Sequence, residues 1–213
     1  MPPILFRDQR FVVLDKPAGL PVHPGPRGGP SVEDFFPVLS RRKDGPWLVH
    51  RLDADTAGCL LVALRRSALH AAQAEFAAGR VRKTYWAVVR GIPATGAGTI
   101  DAPLLRLNTR NGWRMVIDDA GTAAVTDWRL LGQAHNTAWL ELTPHTGRTH
   151  QVRVHCAALG FPVLGDPVYD GGSGPLQLLA RGLALLLDPP LSAVAPVPAH
   201  MREALHDCGL AIG

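Results

Sequence analysis

The stretch "TAAVTDWRLLGQAHNTAWLELTP", residues 122–144, decides the fold class. β-Branched and aromatic residues recur through it on both sides of the polar "GQAHN", so it reads as two strands, 122–131 and 137–143, closing an antiparallel hairpin. Upstream, "RKTYWAVVRG" (82–91) has the same strand character and is ended by Gly91 and Pro93. Downstream, "TGRTHQVRVHCAALG" (146–160) changes period. Val152, Cys156 and Leu159 fall at helical spacing, Thr146 or Thr149 stands near the start, and Gly160 stops the helix.

The same reading extends outward. Phe11 to Leu14 is a short strand before a stiff Pro/Gly loop, and "SVEDFFPVL" starts a helix at Ser31 that Pro37 cuts short. "CLLVAL" (59–64) is a buried strand, and "SALHAAQAEFAAG" (67–79) is a helix with Ser67 as N-cap and Gly79 as its stop. "LQLLARGLALLL" (176–187) is apolar enough for a buried helix or strand, and its pattern favours neither. Strands mixed with helices without strict βαβ alternation predict an α+β fold with a mainly antiparallel sheet. No repeat or linker divides the chain, so a single domain over 1–213 is expected.

A chain of 213 residues with 46% hydrophobic residues can bury one substantial core. Neither a membrane span nor a signal peptide is visible, so a cytoplasmic protein is expected. Three scattered cysteines, Cys59, Cys156 and Cys208, speak against a disulfide framework or a thiolate zinc site. The net charge of +4 attracts polyanions mildly. Its distribution says more: Arg41, Arg42 and Lys43, then Arg65 and Arg66, then Arg80, Arg82 and Lys83 recur near segment ends, where they could contact phosphates or form a solvated surface.

His145, His150 and His155 are spaced by five, which does not stack them on one helical face, so no metal site is predicted. The phosphate loop G-x-x-x-x-G-K-[ST] and the hydrolase elbow G-x-S-x-G are both absent, and no cofactor is implied. What remains is an acid, an aromatic and an arginine: Asp53 beside a buried strand, Tyr85 on a strand, and Arg148 at a helix start. Taken singly, Arg51 and Asp53 read as a structural ion pair and Tyr85 as sheet packing.

Four segments, in order, change that reading. "LDKPAGLPVHPG" (14–25), "HRLDADTAGCLLVA" (50–63), "RVRKTYWAVVRG" (80–91) and "TGRTHQVRVHCAALGFPVLGDPVYDGG" (146–172) resemble the RluA-type pseudouridine synthases of the RsuA/RluA superfamily. The resemblance implies a catalytic domain with a central active-site cleft that isomerises a uridine of ribosomal or transfer RNA to pseudouridine without cofactor or metal. It further implies that Asp53 is the catalytic aspartate, Tyr85 the active-site aromatic and Arg148 the basic partner of the aspartate, with His50, Arg51, Lys83, Thr149 and Gln151 as substrate contacts. The pattern departs from the family at Ala57, where serine is common, and at Ala180, where histidine often stands. The S4-type RNA-binding extension of many relatives is not found, so a bare catalytic domain working as a monomer is expected. A fold relative that binds RNA or the ribosome without turnover, and a cofactor-free nucleoside hydrolase, are the competing classes.

Overall fold

The computed structural model describes residues 1–25, 28–42, 44–110 and 112–211. The chain forms two compact units, Met1–Lys83 with Ala180–Pro196, and Thr84–Leu179 with Val197–Gly213. Both combine mainly antiparallel strand pairs with helices, in keeping with the α+β expectation.

In the first unit, β1 (Ile4–Arg7) turns at Asp8 into β2 (Phe11–Lys16), whose Phe11, Val12, Val13 and Leu14 are fully buried. β2 pairs antiparallel with β4 (Ala57–Ala63) in a register that sets Phe11 opposite Ala63 and Lys16 opposite Gly58. Every residue of β4 is buried, as a strand covered on both faces requires. The two-residue strand β3 (Trp47–Leu48) adds to β4. The helical turn 32–35 runs into α1 (Phe36–Leu39). Pro37 does not cut this helix but sits in its first turn, where a missing N–H costs no hydrogen bond. In α2 (Arg66–Ala77) the extended N-cap is Arg65, with Ser67 already inside the first turn, and Gly79 (φ +68°) follows the helix as expected.

The second unit takes most of β5 (Arg82–Arg90). It is built on the antiparallel order β5-β10-β9-β6, with β6 (Ala97–Asp101), β9 (Val125–Ala134) and β10 (Thr137–Pro144). The β9–β10 hairpin is tighter than its sequence suggests. Gly132, Gln133 and Ala134 stay in the strand, and the reversal falls on His135 (φ +52°) and Asn136. A separate hairpin, β7 (Leu104–Thr109) and β8 (Gly112–Ile117), has no counterpart in the sequence reading. The ambiguous segment is a strand, β11 (Leu178–Leu185), which crosses from the second unit into the first and pairs there with β12 (Leu191–Val194). Helix α4 (Ala199–Asp207) is the last described element.

Helix α3 (Gln151–Ala158) is buried from Gln151 to Cys156. Val152 and Cys156 enter a core with Leu140, Leu142, Trp128 and Val163, while Val154 joins Leu104, Met115 and Ala124. The polar residues between them are satisfied internally, as burial demands. Arg153 makes a bidentate ion pair with Asp166 (2.7 and 2.8 Å), and His155 meets Thr126 Oγ1 (2.9 Å) and the Ala102 carbonyl (3.1 Å). The helix is thus anchored on all sides, and the loop before it inherits that rigidity.

Candidate active site

Asp53 opens a turn between β3 and β4 that the Thr56 N–H closes on the Asp53 carbonyl (3.2 Å). The turn is clamped from below. Lys16, at the end of β2, has no exposed surface, and its ammonium donates to the carbonyls of Pro17 (2.9 Å), Leu20 (2.8 Å) and Ala54 (2.7 Å). The Gly19 N–H donates to the same Ala54 carbonyl (2.9 Å). A buried ammonium thereby ties the Pro/Gly loop to the residue following Asp53. Burial pushes Lys16 down to about 8, against the pull of the Asp55 and Asp53 carboxylates, which favour its charged form. Asp53 itself is half-buried.

His50 supports the turn from its other end. Its Nε2 accepts the Leu61 N–H (3.1 Å), its ring stacks on Phe76 (5.2 Å between centroids), and it donates to the Arg51 carbonyl. Burial pushes it down to about 4, with the Lys83 cation adding to the effect, so the imidazole is neutral near pH 7. Both nitrogens thus serve backbone groups. Arg51 is exposed and Lys83 half-buried.

In the second unit, Arg148 lies on the loop that enters α3, organised by a single amide. Gln151 is only 4% exposed. Its Oε1 accepts the Arg148 N–H (2.9 Å) and the Thr146 hydroxyl (2.8 Å), while its Nε2 donates to the Val125 carbonyl (3.0 Å) and Thr126 Oγ1 (3.0 Å). Arg148 Nε donates to the Ala123 carbonyl (3.1 Å), which directs an otherwise exposed side chain. Thr149 is exposed. His150 takes the left-handed conformation (φ +54°), its Nδ1 3.0 Å from the Tyr169 hydroxyl, and stacks on Trp113 of β8 (5.1 Å). Tyr85 lies on β5 opposite Leu142 of β10, half-buried against the core.

Each unit therefore presents a polar group on a hydrogen-bonded loop, Asp53 in one and Arg148 in the other. The sequence reading missed Lys16, whose only local signal is a cation directly after an apolar strand, "FVVLDKP". It also treated Gln151 as a substrate contact, whereas the amide's four bonds all lie within its own unit.

The family model described as RNA pseudouridylate synthase matches residues 10–158, a span that holds the Asp53 turn, Tyr85 and the Arg148 loop. The chain belongs to the RNA pseudouridylate synthase family. It is 43% identical to an uncharacterized RNA pseudouridine synthase of Zymomonas mobilis, covering 92% of this chain and 93% of that protein. It is also 38% identical to the ribosomal large subunit pseudouridine synthase D of Xanthomonas campestris, with 95% of this chain matching 59% of the longer relative. Among solved structures, human RNA pseudouridylate synthase domain containing 4 superposes with a TM-score of 0.83 at 30% identity, over 98% of this chain and 94% of that one. As a pseudouridine synthase the protein is an isomerase acting on RNA. Among the described residues no helix is long and apolar enough to cross a membrane.

Proposed function

We propose that this pseudouridine synthase modifies a uridine of ribosomal or transfer RNA in the cytoplasm, as a monomer, with all of residues 1–213 serving as one catalytic domain. Asp53 is the catalytic carboxylate. The observation that carries its role is the turn that holds it, half-buried and fixed through Ala54 by the Lys16 ammonium. A carboxylate on a turn held this way suits proton abstraction or nucleophilic attack at a fixed sugar atom. The family resemblance favours removal of a sugar proton. In the overall reaction the C1′–N1 bond breaks and a C1′–C5 bond forms, while C5 loses a proton and N1 gains one, so no oxidant or reductant is needed.

Tyr85 stacks on the detached base, and Arg148 is the basic partner of the carboxylate. Arg51, exposed beside Asp53, fills the stack that the extruded nucleotide leaves, while Lys83 and Thr149 contact the substrate. His50 and Gln151 position these groups through the backbone. Ribosomal RNA is the first target to test, because the Xanthomonas relative is named for the large ribosomal subunit.

The decisive experiment measures tritium release from C5-tritiated uridine in unmodified ribosomal and transfer RNA. Wild type should release tritium from one pool and Asp53→Asn should release none, while still binding the RNA. Release by Asp53→Asn at the wild-type rate would remove Asp53 from the chemistry. Binding without release by the wild type would make the protein a binder of the same fold.

A further inference from the structure

Arg7, Arg41, Arg42 and Arg65, scattered through the sequence, line one groove of about 520 Å³ in the first unit. Its walls are the β1–β2 turn, the chain leaving α1 and the junction between β4 and α2. Among the described lining residues the only carboxylate is Asp8, and it is already occupied. It accepts the N–H groups of Arg10 (2.7 Å) and Phe11 (2.6 Å) and the Arg10 guanidinium (3.2 Å). The groove arginines that make close contacts use neutral acceptors, which leave their charge uncompensated. Arg7 donates to the Leu39 carbonyl (2.9 Å) and Arg65 to Gln9 Oε1 (3.3 Å). Arg42 reaches Asp44 only at 4.0 Å with both side chains exposed, a pairing worth little. α2 starts at this wall with no side-chain cap and no acid in its first turn, so its positive end adds to the same field.

The β2–β4 register places this groove relative to Asp53. Phe11 and Ala63 pair at the groove end of the strands, and Lys16 and Gly58 at the end where the Asp53 turn is clamped. The length of β4 thus separates the groove end of these strands from the end where the Asp53 turn is clamped by about 20 Å, at about 3.3 Å per residue. That distance corresponds to roughly six base-pair steps of about 3.4 Å.

We propose that this arginine groove is a second RNA contact, holding the phosphate backbone of the stem that delivers the target nucleotide to Asp53. The inference rests on the pseudouridine synthase reading and adds where, beyond the reacting nucleotide, the substrate is held. Guanidinium forks without carboxylate partners suit successive phosphates, and the lining offers no deep apolar pocket that would select a peptide side chain. The groove makes substrate length matter: a stem shorter than the strand cannot reach both places.

The test measures RNA affinity against salt for the full chain, the double variant Arg41→Gln/Arg42→Gln and a control of equal charge, Arg129→Gln/Arg202→Gln. The probes are uridine-loop hairpins with stems of about four and about twelve base pairs, which at about 3.4 Å per step fall short of and exceed the span. On the long hairpin the groove variant should bind roughly tenfold more weakly, with a salt slope shallower by about two, one for each lost phosphate contact. On the short hairpin it should match wild type, and the control should lose less on either. Equal losses on both hairpins, equal losses in the control, or no loss at all would overturn the groove. A length-dependent loss in a protein whose wild type releases no tritium would support the groove and overturn the isomerase reading instead.

Discussion

Lys16 shows how far a single side chain can organise a site. A buried ammonium is costly, and burial has already driven this one down to about 8. Three carbonyls hold it nonetheless, and one belongs to the residue after Asp53. In Lys16→Met the side chain keeps its volume and the desolvation cost of the charge disappears, but the carbonyls of Pro17, Leu20 and Ala54 lose a charged donor. Where water cannot replace the donor, such a loss costs about 1–3 kcal/mol. The fall of Lys16 from 10.5 to about 8 makes the relief comparable in size, so urea unfolding should place the variant within about 2 kcal/mol of wild type. Tritium release should fall further than folded fraction accounts for, because the Asp53 turn loses its clamp. A variant with wild-type stability and release would show that the clamp is dispensable.

The elements show where pattern reading works and where it stops. β5 and helices α2 and α3 were legible because each repeats its own period, and β4 because its length and unbroken apolar run mark a buried strand. The edge strands β1, β6 and β12 and the β7–β8 hairpin were not, because short, half-exposed strands carry little apolar pattern. Gly132 illustrates the limit. In sequence it looks like a turn residue, yet it lies within β9 opposite Trp139, next to a register shift. A Cβ there would stand 1.8 Å from the Cys208 carbonyl oxygen, so the glycine serves close approach of two backbones. Gly132→Ala forces that backbone apart and should lower stability by about 1–3 kcal/mol, read as a lower urea midpoint. An unchanged midpoint would mean that the end of α4 yields freely.

Acid stability belongs to the whole molecule, since unfolding exposes every buried histidine together. Burial depresses both His50 and His155, the former from 6.5 to about 4. Between these values the unfolded chain binds a proton at His50 that the folded chain refuses, so stability falls as pH drops from 6.5 toward 4 and is fully present above 6.5. Urea midpoints should therefore decline through this window. His50→Gln, whose amide oxygen can still accept the Leu61 N–H, should flatten the decline; an equally steep profile would place its origin elsewhere. The family, the α+β class and the candidates Asp53, Tyr85 and Arg148 came from sequence alone, because each depends on residue types within short contiguous segments. Only the tertiary structure decided that Lys16 clamps the Asp53 turn, that Gln151 orders the Arg148 loop, and that Arg7, Arg41, Arg42 and Arg65 share one groove. Those facts depend on which distant backbone groups and charges burial brings within a few ångströms, and no local period records that.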